Sequence, residues 1–90
     1  MAVEIGTVQT LPDVKPDKAQ ALKVLEEAAE VFGAWRRLDA MESDVVFQDL
    51  KDECADVIQA TCNLLAAYGV RDFTWHMEMC QRRNVKRRRM

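Results

Sequence analysis

Glycine and proline are scarce in this chain, with three Gly and two Pro among 90 residues. No glycine-rich phosphate loop can be assembled from them, which removes the nucleotide folds that cradle phosphates on such loops. Strand alternation and internal repeats are also missing. His76 is the sole histidine, and without a second His or a Glu-x-x-His pair the chain does not support a di-iron carboxylate bundle; it reads as a core-edge or surface residue. Cys54, Cys62 and Cys80 form an odd set with no C-x-x-C pair, so reduced thiols are expected, neither a disulfide framework nor a zinc site. No apolar run approaches a bilayer span, and MAVEIGTVQTLPD lacks a basic start followed by an apolar block. The expectation is a cytoplasmic protein with no membrane partner and no signal peptide.

What is present is helix-forming and charged: 49% hydrophobic and 31% charged residues, a globular composition near the lower size limit for a self-sufficient core. The net charge of −2 hides two opposed regions. Residues 1–81 hold seven Lys/Arg against fifteen Asp/Glu, whereas residues 82–89, RRNVKRRR, hold six positive charges and no negative ones. A basic run of this kind can meet an anionic ligand or the acidic body itself; a solvated terminus is equally compatible, and nucleic acid is not the expected partner.

The pattern divides into an N-terminal arm over 1–15, an all-α domain over 16–84 and a basic tail over 85–90. A first long helix starts near Pro16-Asp17 and runs to about Leu38, with Ala21, Val24, Leu25, Ala28, Phe32 and Trp35 on one side. Ser43 or Asp44 caps a second long helix, from about Val45 to Tyr68, that stops at Gly69. A shorter third helix begins near Arg71-Asp72 and fades around Asn84. The apolar faces are broader than a lone three-helix monomer covers. The predicted fold is therefore an all-α helical bundle of two long helices and a shorter third, completed by homo-oligomerisation.

The residues that carry chemistry are two acidic pairs. Glu27 and Glu30 are three apart on the first helix, as are Glu53 and Asp56 on the second. A spacing of three puts both members of a pair on one side of a helix. Glu27, Glu53 and Asp56 also fall at the boundary of apolar faces, where a purely solubilising acid has no reason to be. Facing the two edges gathers four carboxylates, whose mutual repulsion calls for a cation. All-oxygen ligation of that sort suits hard divalent ions, Mg²⁺ first and Mn²⁺ as a substitute. Trp35 can stack on a nucleobase, although its place on the apolar stripe favours packing.

The order EEAAE at 26–30 followed by ECAD at 53–56, each on an amphipathic helix, resembles the MazG-like branch of the all-α nucleoside triphosphate pyrophosphohydrolases. The likeness covers residues 22–68, including LEEAAEVFGAW and LKDECADVIQATCNLL, and the third helix more loosely. It implies a dimeric or tetrameric enzyme that binds Mg²⁺ through Glu27, Glu30, Glu53 and Asp56 and splits a nucleoside triphosphate into monophosphate and pyrophosphate. Asn84, Lys86 and Arg87 are the nearest matches to the family's phosphate- and base-binding residues. A carboxylate beside the ligands, Glu26 or Glu27, is the candidate general base. The alternative is a non-catalytic helical binding or regulatory module whose acidic face binds a basic partner and whose basic tail touches nucleic acid.

Overall fold

A computed structural model describes residues 1–88. Its described residues form three α-helices and no strand: α1 Lys18–Ala40, α2 Asp44–Ala67 and α3 Thr74–Lys86. No helix among them is long and apolar enough to cross a membrane, and Cys54, Cys62 and Cys80 are free thiols. Arg89, part of the expected basic tail, lies outside the described residues together with Met90.

Local chemistry sets the helix ends. The Asp17 carboxylate accepts a hydrogen bond from the Gln20 amide at 3.2 Å, satisfying one of the unpaired N–H groups in the first turn of α1. Ser43 Oγ does the same for Val46 at 3.2 Å and starts α2. Between these helices only residues 41–43 remain for the connection, so the pair must form an antiparallel hairpin. At the far end of α2 the Gly69 amide reaches Ala66 O and the Val70 amide reaches Leu65 O. Gly69 there has φ of +85°, the left-handed position at which a Cβ is penalised.

α1 and α2 pack along their lengths, whereas α3 packs on neither. On α1 the side turned to α2 is Val24, Glu27, Val31, Ala34 and Leu38, each half-buried or buried. This is not the whole of the expected apolar side: Leu25, Phe32 and Trp35 remain 65%, 60% and 48% exposed. The Phe32 and Trp35 rings stack on each other at 6.0 Å. Gly33 sits in α1 without a neighbour that demands it, since a Cβ there would meet only the Arg37 guanidinium at 3.8 Å. Within the single chain it is thus not the close-approach point that a helical glycine suggests.

The N-terminal arm runs beside α2 in the same direction. Gln59 Nε2 donates to Gln9 O at 2.8 Å and the Leu11 amide donates to Asn63 Oδ1 at 3.1 Å. The Tyr68 hydroxyl reaches Pro16 O at 3.4 Å. Among the described residues Asn63 and Glu27 are the buried polar or charged ones. An amide buried there is tolerated because its oxygen accepts from both Leu11 and Gln59.

Burial is slight. Among the described residues the buried apolar ones are Ala34 and Ala60, and no large side chain is fully enclosed. The radius of gyration is 15.0 Å, against about 12 Å for a compact chain of this length. The accessible surface is 7745 Å², against roughly 5,400 Å² for a compact monomer of this mass. With α3 packed on neither hairpin helix, the chain is consequently more open than a closed three-helix bundle.

Candidate metal centre

The antiparallel hairpin aligns the middle of α1 with the middle of α2, and that is where the acidic pairs lie. Glu27 and Glu30 from α1 meet Glu53 and Asp56 from α2, with one carboxylate oxygen from each lying within 4.8 Å of the others. All four residues singled out by their spacing are brought together. The small residues on the same side, Ala34 and Ala60, are the buried pair, so the helix backbones approach closely enough for these short and medium side chains to converge.

Burial is uneven across the cluster. Glu27 is buried, Glu53 half-buried, and Glu30 and Asp56 exposed, so the group forms a floor and an open rim. Glu27 Oε1 accepts an ion-paired hydrogen bond from Lys23 Nζ at 2.9 Å. Glu27 Oε2 and Glu53 Oε2 are shielded from solvent and have no hydrogen-bond partner. Unpartnered buried carboxylate oxygens are costly. Two of them within one acidic cluster mark a place where a cation would supply what the protein does not.

The charge states follow from this arrangement. The Lys23 ammonium holds Glu27 below the ordinary carboxylate range, and the pairing in turn raises Lys23 above its ordinary value. Glu30 moves the other way. The closeness of the Glu27 carboxylate, then of the Glu53 carboxylate, favours its protonated form, because a proton there could be shared with either, and the charges of both neighbours add to this. A divalent cation would compensate the unpartnered Glu27 Oε2 and Glu53 Oε2 and the mutual repulsion of the carboxylates together. The four oxygen donors fit a hard divalent ion, and the cluster could hold one.

The remaining candidates lie elsewhere. Glu26 is exposed and is not among the four converging residues; it precedes Glu30 by one turn of α1. Trp35 is eight residues beyond Glu27, about 12 Å along the helix, and packs beside Phe32. Asn84, Lys86 and Arg87 belong to α3 and its C-cap, which helix packing does not bring to the hairpin. Asn84 Nδ2 donates within its own helix to Cys80 Sγ at 3.3 Å, and Lys86 lines a shallow surface depression with Glu78, Gln81, Arg82 and Val85.

Two residues that the acidic spacing did not single out matter to the site. Lys23, one turn before Glu27, was legible as an i, i+4 partner. Asn63 ties the arm to α2, and its sequence signal was its spacing, seven residues after Asp56 and three after Ala60, which returns to the same side of the helix. No family model matches the chain, and no curated protein or solved structure matches it either.

Proposed function

We propose that the protein is a Mg²⁺-dependent nucleoside triphosphate pyrophosphohydrolase that converts a (deoxy)nucleoside triphosphate and water to the monophosphate and pyrophosphate. The observation that carries the reading is the convergence of Glu27, Glu30, Glu53 and Asp56 within 4.8 Å across two helices. The two shielded, unpartnered oxygens on its floor give that convergence chemical meaning. The MazG-like order of the motifs supplies the reaction class.

Mg²⁺, with Mn²⁺ as a substitute, would be held by those four carboxylates and would neutralise triphosphate oxygens and activate water. The chain's own residues divide the remaining work. Glu53 and Glu27 provide a shielded floor, which limits how far ligand geometry can drift. The exposed rim at Glu30 and Asp56 leaves the site open to a triphosphate. Glu26 and Glu27 are the candidate general bases. Lys23 depresses the basicity of Glu27, which suits a ligand role for Glu27 and leaves Glu26, exposed one turn before Glu30, to accept the proton of the attacking water. Asn84, Lys86 and Arg87 would meet phosphates or base if α3 closes over the hairpin of its own chain or of a second copy.

Assembly is part of the same reading. An accessible surface about 2,300 Å² above that of a compact monomer, together with exposed Leu25, Phe32, Trp35 and Phe47, favours a homodimer or a dimer of dimers. The detached basic α3 favours the alternative of a non-catalytic binding module.

Incubation with each of the common nucleoside and deoxynucleoside triphosphates, with and without Mg²⁺, separates the readings. Metal-dependent pyrophosphate release with at least one of them is expected. Release of inorganic phosphate instead overturns the proposed bond cleavage, and no release from any of them favours the binding module.

A further inference from the structure

The acidic cluster already contains a cation of its own. Lys23 precedes Glu26, Glu27 and Glu30 by three, four and seven residues, spacings that return to one side of α1. Its ammonium lies 2.9 Å from Glu27 Oε1, and the two side chains differ sharply in exposure, 56% for Lys23 and 9% for Glu27. Among the described residues this is the ion pair that reaches the cluster. The pairing leaves Glu27 Oε2 shielded and without a partner, so the carboxylate is half engaged by the lysine and half available.

These two occupancies are not independent. The oxygens of one carboxylate are separated by less than the diameter of a hydrated ion, so a divalent cation taken up at Oε2 comes close to the ammonium at Oε1. Two cations on one carboxylate repel. The long, largely exposed lysine stem lets its ammonium swing into water, where it is well solvated, while the buried Glu27 carboxylate has no such freedom. The lysine therefore stabilises the empty cluster and opposes the filled one.

We propose that Lys23 is a built-in competitor for the cation site, a tethered counterion that occupies the carboxylate cluster in the metal-free protein and is displaced from Glu27 when a divalent cation binds. Resting on the metal reading above, the inference adds a determinant of affinity: the lysine weakens metal binding and keeps the metal-free hairpin from repelling itself apart. It makes occupancy respond to the concentration of free divalent cation over a higher range than four unopposed carboxylates would.

The test is Mn²⁺ binding to the full chain, followed by the loss of the free-ion electron paramagnetic resonance signal, for wild type, Lys23→Met and Lys23→Arg. Lys23→Met keeps an apolar stem and removes the charge; circular dichroism checks that helix content is unchanged. Removing a competing exposed pair should tighten Mn²⁺ binding by about two- to five-fold, with a smaller gain at high salt. Lys23→Arg should stay near wild type. Equal affinity in wild type and Lys23→Met overturns the competition. Weaker binding in Lys23→Met also overturns it, because the lysine would then be holding Glu27 in place for the metal. If none of the three forms binds Mn²⁺, the metal reading itself fails and this inference falls with it.

Discussion

The α1–α2 hairpin and the α3 region have opposite designs. The hairpin is acidic where its helices meet, its helices pack along their length, and its buried charged residue is Glu27. α3 holds Arg82, Arg83 and Lys86, buries no residue, and packs on neither hairpin helix. Trp75, Met77 and Val85 are 64%, 57% and 58% exposed on it. A site needs rigid elements to hold ligand atoms at fixed distances, and only the hairpin supplies them. The basic helix has the charge to meet an anion but no packing that fixes where it meets one. The hairpin thus carries the acidic cluster that could hold a cation, and α3 carries basic charge without a fixed position against it.

The largest effect that could break this division is on turnover. Glu27→Gln, Glu30→Gln and Asp56→Asn should each lower kcat by about 100-fold or more, because each removes part of a charge-stabilising clamp. Hydrolysis in ¹⁸O-labelled water should place the label in the monophosphate and not in pyrophosphate. Wild-type turnover in all three variants would reduce the acidic motif to surface charge.

Next is cation-linked stability. Mg²⁺ at a hundredfold excess over its dissociation constant should stabilise the fold by about 2.7 kcal/mol, seen as a rise in Tm, and Glu53→Gln should lose most of the rise while remaining helical. This dependence has a definite sign with pH. Glu30 is raised, so its contribution to the metal-free fold is present below the ordinary carboxylate range and lost as pH rises through its raised value. Glu27 is lowered, so its pairing with Lys23 contributes above the ordinary range and is lost as pH falls through the depressed value. Protons on Glu30 compete with the metal, and the Tm difference with and without Mg²⁺ should widen from acid to neutral pH. A difference that stays constant over that interval would exclude Glu30 as a ligand.

A smaller effect is expected from the basic side. Lys86→Ala combined with Arg87→Ala should raise KM several-fold with little change in kcat, consistent with residues that hold ground-state phosphates. The Mg²⁺-linked rise in Tm should be unaffected. An equal fall in kcat would tie α3 to the reacting centre and erase the contrast between the two regions.

The smallest effects concern helix starts. Ser43→Ala removes the cap that begins α2 inside the packed hairpin and should cost about 1 kcal/mol of global stability in chemical denaturation. Hydrogen bonding from the Thr74 side chain, then from the Thr74 amide at 2.9 Å, holds the Asp72 carboxyl below the ordinary range. Because α3 packs on neither hairpin helix, Asp72→Ala should fray α3 locally, visible as faster amide exchange over residues 74–77, without moving the global transition. A global shift matching that of Ser43→Ala would show that α3 is packed in solution, through a second copy.

Helix type and order, the starts of α1 and α2 and the stop of α2 were written locally, whereas α3, which has no side-chain cap at Phe73, begins at Thr74 rather than near Arg71-Asp72 and runs to Lys86 rather than Asn84. Asp17, Ser43 and Gly69 cap or stop helices through bonds to atoms within a few residues, so their effect survives without knowledge of the fold. The two acidic pairs were equally legible, since a spacing of three places both carboxylates on one side of any helix. Which side of α1 meets α2 was not legible: the stripe through Leu25, Phe32 and Trp35 and the stripe through Val24, Glu27, Val31 and Ala34 overlap in periodicity, and only the hairpin geometry selects the second. The same geometry brings Glu27 and Glu30 to Glu53 and Asp56, turns Lys23 into the counterion of a buried carboxylate, and sets Asn63 beneath the arm at Leu11. Local sequence determines hydrogen bonds within a turn or two of helix; long-range proximity depends on how two helices are juxtaposed, and that is decided only when they pack.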